Sequence, residues 1–155
     1  MKVIEVKGNL FDTDKYASGE SVVLAHCIAS DIGMYGGIAT QFIDRYDMKN
    51  KLLKHLGYAS HRQAPANIDL VGTAIKIDNV YNLITKLTTG ELPTIEDLSN
   101  SLKDMKHQMA EADEHILAIP DMIGCGIDML DRNLVLTTLQ SIFLFTDITI
   151  YVVKL

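Results

Sequence analysis

The chain has 155 residues, 48% hydrophobic and 22% charged, so it can bury one sizeable core without disulfides or metals, and we expect one domain over residues 1–155. Its formal net charge of −6 argues against general nucleic-acid binding, which needs clustered Lys and Arg. The two cysteines, Cys27 and Cys125, make neither a CxxC pair nor a zinc-spaced cluster, so we expect a reducing, cytoplasmic compartment, no metal and no cofactor. No signal-peptide pattern and no apolar run approaching roughly 20 residues is found, so we expect no membrane partner.

Apolar patterning predicts the elements of the first half of the chain. Residues 1–6 alternate between apolar and polar, which is typical of a strand, and residues 12–20 are polar and predict a loop. Residues 21–27 are almost continuously apolar, as in a strand buried on both faces of a parallel or mixed sheet. Helical spacing of apolar residues predicts helices at about residues 37–46 and 49–56.

The second half predicts six further elements: strands at residues 70–78, 80–85, 115–119 and 148–153, and helices that run from Thr94 through Met109 and over residues 133–143. Asp78 and Asn79 separate the first two of these strands in the manner of a hairpin. Thr94 is a plausible N-cap, because Glu96 and Asp97 follow it in what would be the first helical turn. No repeat or linker interrupts the pattern.

Two glycine-rich loops, residues 31–39 and 120–128, each follow a predicted buried strand. A strand that leads into a Gly-x-Gly loop and then a helix presents backbone N–H groups and a helix N-terminus, which suits a phosphate. Two such loops are what a diphosphate flanked by sugars needs in an α/β sheet. The loop residues that we expect at the ligand are Asp31, Gly33, Met34, Tyr35, Gly36, Gly37, Ile38, Pro120, Ile123, Gly124, Cys125, Gly126 and Ile127.

Several of these residues have a simpler interpretation. Asp31 and Asp121 could contact a base or a ribose, or they could be ordinary loop caps. Tyr35 could cover the diphosphate or the distal ribose, or it could be a solvent-exposed loop aromatic. His26 and Cys125 suggest a Cys/His nucleophile, against which stands a strand-end histidine satisfied by the backbone and a small buried thiol.

Read together, residues 26–28, 33–39, 81–86 and 123–128 resemble a macrodomain, and their spacing is most similar to the terminal ADP-ribose glycohydrolase-like branch. The resemblance runs from Gly8 to the C-terminus. It implies a three-layer α/β/α fold with a mixed sheet of about six strands and a ligand crevice at the carboxyl ends of the strands. It also implies ADP-ribose or an ADP-ribosylated protein as the partner, with further ligand contacts at Asn9, Leu10 and Ile28.

The resemblance assigns catalysis to Lys86 and Asp128. In that branch a lysine attacks the anomeric carbon of the distal ribose and a nearby aspartate assists, which releases ADP-ribose from modified carboxylates or related esters. A lysine nucleophile must lose its proton, which desolvation favours and a neighbouring carboxylate opposes. Asp128 would therefore act as an acid/base or orient a hydroxyl, rather than hold Lys86 in a tight ion pair.

Two positions depart from the pattern of the resembled family. The branch has a serine after His-Cys-Ile, whereas this chain has Ala29, with Ser30 one place later, which predicts residual activity or an altered choice of substrate. In many macrodomains the position of Asn9 is an aspartate that contacts the adenine amino group. The amide oxygen of Asn9 could accept the same hydrogen bond, but without the charge.

Two other functions fit the same resemblance. The fold also hosts phosphatases that act on ADP-ribose 1''-phosphate, in which Lys86 would be a phosphate-binding cation rather than a nucleophile. A reader that binds ADP-ribose without turnover is the non-enzymatic alternative. The presence of both Lys86 and Asp128 in their motifs favours the glycohydrolase.

Overall fold

The computed structural model describes residues 1–18, 20–121, 123 and 129–155, which build a six-stranded sheet. Its strands are β1 (Lys2–Lys7), β2 (Val23–Ala29), β3 (Thr73–Ile77), β4 (Val80–Lys86), β5 (Ile116–Pro120) and β6 (Thr149–Lys154). Their order across the sheet is β1-β6-β5-β2-β4-β3. Neighbouring strands are parallel except for the antiparallel β3–β4 hairpin, so the sheet is mixed, as expected.

The described helices are α1 (Thr13–Tyr16), α2 (Ile38–Tyr46), α3 (Met48–His55), α4 (Ile95–Glu111) and α5 (Arg132–Phe143), with a 3-10 turn at Ile68–Leu70. In the described ranges, none of these helices is long and apolar enough to cross a membrane.

Helices cover both faces of the sheet, which confirms the three-layer α/β/α expectation. On one face, α4 and α5 pack buried side chains such as Leu102, Met105 and Leu139 against Leu83 and Leu117 of the strands. On the other face, α2 and α3 pack Phe42, Met48, Leu52 and Leu53 against residues that include Leu24, Ile28 and Ile84. The alternation along β2 and β4 explains the two cores, because successive side chains of a strand point to opposite faces.

The longest helix starts where its sequence predicts. Thr94 has extended backbone geometry and its hydroxyl accepts a hydrogen bond from the Asp97 N–H at 3.1 Å, so it is the N-cap. Further along α4, the Asp104 carboxylate accepts from the Ala74 N–H at 2.7 Å and the Gln108 amide donates to the Ala74 carbonyl at 2.7 Å. Ala74 lies on edge strand β3, so α4 satisfies backbone groups that would otherwise face solvent at the sheet edge.

Three boundaries or elements differ clearly from the sequence prediction, and one predicted stretch lies outside the described residues. Residues 12–20, predicted as a loop, contain the one-turn helix α1, which is too short to show an apolar period. The strand predicted at residues 21–27 ends two residues later, at Ala29. The strand predicted at residues 70–78 is shorter, because a 3-10 turn capped by the Asn67 side chain occupies its beginning. The residues 124–128, including predicted site residues Gly124, Cys125, Gly126, Ile127 and Asp128, lie outside the described part of the chain.

Candidate active site

The predicted site residues that the structure describes lie at one end of the sheet, where the parallel strands finish. Strands β1, β2, β4, β5 and β6 are parallel, so their carboxyl ends point the same way. The chain therefore leaves this edge at Asn9 and Leu10 after β1, at the first glycine loop after β2, at Lys86 after β4 and at Pro120 after β5. Ligands of open α/β sheets bind at such an edge. The β2 strand lies between β4 and β5, which places the glycine loop between Lys86 and Pro120.

The first glycine loop leads directly into α2. Gly37 is the N-cap of the helix, with φ of 62°, a left-handed value that favours glycine. Both Gly36 and Gly37 are exposed. Within the described residues, Gly37 has no side-chain cap and the first turn of α2 has no acidic residue. The N–H groups and the positive end of the helix dipole therefore face an approachable surface, which suits an anionic group.

Tyr35 stands at the outer side of this loop. It is 67% exposed, and its hydroxyl donates to Oε1 of Gln63 at 3.2 Å. The ammonium of Lys49 lies 4.7 Å from the centre of the Tyr35 ring and donates to the Gly33 carbonyl at 3.0 Å. Lys49 thus joins α3 to the loop through a cation–π contact and a hydrogen bond.

Asp31, at the beginning of the loop, has both carboxylate oxygens engaged by backbone and side-chain donors. Oδ1 accepts from the Thr89 hydroxyl at 2.6 Å and from the Gly33 N–H at 3.2 Å, and Oδ2 accepts from the Thr89 N–H at 3.1 Å. The structure therefore places Asp31 as a link between the glycine loop and the segment after β4. A ligand contact by Asp31 stays a prediction.

Lys86 is the last residue of β4 and is half-buried. Its backbone pairs with Ala29 at a register shift in the β2–β4 ladder, and its carbonyl accepts from the Ser30 N–H at 3.0 Å. Ser30 is fully buried, and its hydroxyl donates to the Leu87 carbonyl at 2.5 Å and accepts from the Asn67 N–H at 2.9 Å. The Ser30 hydroxyl thus bonds to the backbone both as a donor and as an acceptor.

Most of the predicted ligand contacts at residues 9, 10, 28 and 34 point into the protein. Asn9 uses Oδ1 to accept from the Phe11 N–H at 2.9 Å, which forms a local turn. Leu10 and Ile28 are buried and belong to the core on the α2 and α3 side. Met34 is also buried there, with φ of 56°. Since the Asn9 oxygen has two lone pairs, the local bond leaves capacity for a second donor.

Of the second glycine loop, the structure describes residues 120, 121 and 123. Asp121 accepts from the Arg132 guanidinium at 2.5 Å, and Arg132 also lies 3.3 Å from Glu5. These carboxylates raise the pKa of Arg132, Asp121 more strongly than Glu5. The Ile123 N–H donates to the Pro120 carbonyl at 3.0 Å, and Ile123 is buried. In this part of the chain Asp121 therefore joins the end of β5 to the start of α5.

His26 differs from its expected placement at a strand end with backbone partners. It lies within β2, fully buried, with Nε2 2.6 Å from Oδ1 of Asn82 and its ring stacked on Phe42 at 4.0 Å between centroids. Burial lowers the pKa of His26 to about 4, although the hydrogen bond to Asn82 raises it. His26 is thus a neutral core residue. In the described ranges no cluster of three or more His, Cys, Asp or Glu is suited to a metal ion.

Sequence reasoning missed Thr89, Lys49 and Arg132, which hold the loops in place. Thr89 follows β4 by three residues, in a stretch with no helix or strand pattern. Its partner Asp31 is 58 residues away, and such a pairing leaves no local signature. The sequence from Lys49 to residue 56 showed only the apolar spacing of a helix. The one available signal was that Asp31 and Asp121 stand at loop boundaries, where carboxylates often accept backbone hydrogen bonds.

Comparisons with known proteins match the chain over nearly its whole length. It is 33% identical over 156 residues to a human protein named ADP-ribose glycohydrolase OARD1, covering 99% of this chain and 92% of that protein. The bovine protein of the same name is 31% identical with the same coverage. The solved macrodomain of Mycobacterium tuberculosis DarG has a TM-score of 0.76 at 20% identity, covering 98% of this chain and 96% of that one. No family model matches the sequence.

Proposed function

Because the chain belongs to the macrodomain family, as a macrodomain of the terminal ADP-ribose glycohydrolase type, we propose that it hydrolyses ADP-ribosyl derivatives and releases ADP-ribose from modified carboxylates or related esters. Its relatives at 31–33% identity are named ADP-ribose glycohydrolases, which supports this class of reaction. The observation that carries the proposal is that Lys86 and the glycine loop leave neighbouring parallel strands at the same edge of the sheet.

The glycine loop is the proposed diphosphate site. The N-terminus of α2 has no side-chain cap among the described residues, and Gly36 and Gly37 are exposed, so this loop offers backbone donors to an anion. This accounts for an anionic ligand in a chain with a formal net charge of −6, because the local field of the loop and helix sets the affinity. Tyr35 would cover the diphosphate or the distal ribose from the exposed side.

Lys86 is the proposed nucleophile. Its neutral amine would attack the anomeric carbon of the distal ribose, the bond from that carbon to the carboxylate oxygen would break, and the carboxylate would leave with the electron pair. Asp128 would take a proton from the attacking nitrogen and pass it to the ring oxygen as the ribose opens to an iminium. The ionised Asp128 would then take a proton from the water that adds to this carbon and return it to the nitrogen, so that the lysine leaves as a neutral amine, the carbonyl of ADP-ribose forms and the last proton goes to solvent. The proposal requires no hydroxyl at position 29, where this chain has alanine. The hydroxyl of the next residue, Ser30, already has two backbone partners.

The experiment is ADP-ribose release from a glutamate-ADP-ribosylated protein, run beside phosphate release from ADP-ribose 1''-phosphate. Wild type, Lys86→Ala, Asp128→Ala and the control Lys2→Ala are compared, since Lys2 is exposed at the opposite edge of the sheet. Release lost in the first two variants and kept in the control supports the glycohydrolase. Phosphate release that survives Lys86→Ala would indicate a phosphatase, and ADP-ribose binding without any turnover would indicate a reader.

A further inference from the structure

The segment that begins at Lys86 is hydrogen-bonded to residues 30 and 31, where the glycine loop starts. The Lys86 carbonyl accepts from the Ser30 N–H at 3.0 Å, and the Leu87 carbonyl accepts from the Ser30 hydroxyl at 2.5 Å. Two residues further, Thr89 donates twice to Asp31, through its hydroxyl at 2.6 Å and its N–H at 3.1 Å. Four hydrogen bonds thus join residues 30–31 to residues 86–89.

The Asp31–Thr89 contact is the part of this connection that depends on side-chain chemistry. Three hydrogen bonds to one carboxylate include two from Thr89, and bonds to an ionised acceptor are stronger than neutral ones. The fit is also close in space, because a Cβ added to Gly33 would lie 2.0 Å from the Thr89 hydroxyl oxygen. The loop and the segment after β4 therefore have little freedom to move against each other.

We propose that Asp31 and Thr89 form a positioning pair that holds the strand end carrying Lys86 in register with the glycine loop. The inference rests on the proposed function, in which the loop binds the diphosphate and Lys86 attacks the distal ribose of the same ligand. An attacking atom must be held close to its target, and a misplacement of about 1 Å can lower the rate by roughly 100-fold. Loss of the pair therefore lowers kcat more than it weakens the binding of free ADP-ribose.

Thr89→Val and Thr89→Ser separate this role from general packing. Valine keeps the shape of threonine but cannot donate to Asp31, whereas serine keeps the hydroxyl and loses only a methyl group. We expect Thr89→Val to lower kcat for ADP-ribose release on the order of 10-fold, with a change below about 3-fold in Kd for ADP-ribose, and Thr89→Ser to restore most of the rate. Equal kcat in the valine and serine variants would overturn the proposal.

The variant Asp31→Asn provides a second test of the positioning role. An asparagine at this position replaces one acceptor oxygen by an amide donor, which would face either the Thr89 N–H or the Gly33 N–H, so at least one of the three bonds to Asp31 would be lost. Because both substitutions break the same contact, the double variant Asp31→Asn/Thr89→Val should lose little more activity than either single variant. If Asp31 instead touched the ligand directly, the two losses in kcat would multiply and Asp31→Asn alone would weaken ADP-ribose binding, which would overturn the positioning role.

The control is Thr146→Val, which removes a hydroxyl bonded to the Phe143 carbonyl at 2.7 Å, just before the amino end of β6. It should leave kcat unchanged. The measurements also separate the two proposals. If Lys86→Ala abolishes turnover but Thr89→Val does not affect it, the result contradicts the positioning role and supports the glycohydrolase. A wild-type protein that releases no ADP-ribose would contradict both proposals.

Discussion

His26 and Asn82 form a hydrogen bond inside the protein, with 2.6 Å between the imidazole Nε2 and the amide oxygen. The two residues lie opposite each other in the ladder between β2 and β4. Burial keeps His26 neutral and lowers its pKa to about 4. Because the amide oxygen of Asn82 can only accept, Nε2 carries the proton and donates to it. This bond lies in the two central strands whose ends carry the glycine loop and Lys86.

The first prediction concerns stability in acid. The pKa of His26 is about 4 in the folded chain and about 6.5 when unfolded, so the unfolded state binds the proton first as the pH falls. The free energy of unfolding should therefore drop between pH 6.5 and pH 4, by about 3 kcal/mol from this residue. Urea unfolding of wild type and His26→Gln measures the effect, because glutamine does not titrate. An identical loss in both proteins would contradict the assignment.

The second prediction concerns His115, whose ring nitrogens lie 2.8 Å from Asp113 and 3.0 Å from Asp147. The hydrogen bonds to Asp113 and Asp147 raise the pKa of His115 above 6.5. A raised pKa stabilises the fold at low pH, and this contribution is lost as the pH rises through the folded value. NMR titration should show the raised pKa, and Asp113→Asn should lower it. Asp14→Asn, on α1 beyond the opposite end of the sheet, should leave it unchanged.

The third prediction concerns the covered edge of β3. Asp104→Ala removes the acceptor of the Ala74 N–H and should lower the free energy of unfolding by roughly 1–3 kcal/mol, the cost of a lost partner for a half-buried backbone donor. It should also increase self-association, because an uncovered edge strand can pair with another chain. Urea unfolding and light scattering measure the two effects. Lys103→Ala, exposed on the same helix, is the control, and an equal loss of stability there would contradict the assignment.

The fourth prediction concerns the close approach of the glycine loop to Thr89. An alanine at Gly33 would place its Cβ 2.0 Å from the Thr89 hydroxyl, so the loop or the segment after β4 must shift. Gly33→Ala should therefore reduce ADP-ribose release on the order of 100-fold. The matched variant is Gly90→Ala, because a Cβ at Gly90 meets nothing within 4 Å. A comparable loss in both variants would contradict the account of Gly33.

Much of the fold follows from local pattern. The near-continuous apolar run of residues 21–27 predicted the doubly buried strand β2, and the β-rich residues 80–85 predicted β4. Thr94 with the spacing of Leu98, Leu102 and Met105 predicted α4. The predictions were wrong where an element is too short to show an apolar period, or where a local side-chain cap decides the backbone structure. The single turn of α1 contains too few residues for a helical period, and the capped 3-10 turn shortens the strand predicted to begin at residue 70.

The site could be predicted only in part, for a physical reason. Glycine loops and the motif around Lys86 are continuous in sequence, so their position at strand ends could be inferred. The contacts that fix them are long-range: Asp31 with Thr89 and Ser30 with Leu87 join residues 57 or 58 positions apart. Whether a carboxylate caps a loop or meets a ligand depends on such partners, which one sequence does not reveal.

The most direct test of the central claim is mass spectrometry of the protein reduced with borohydride during turnover of a glutamate-ADP-ribosylated substrate. A lysine bonded to the anomeric carbon of an opened ribose is reducible, so the account predicts an ADP-ribose adduct on the peptide that carries Lys86. Lys2 serves as the internal control, since it is exposed at the opposite edge of the sheet. Sustained release of ADP-ribose with no adduct at Lys86 would contradict the proposed nucleophile.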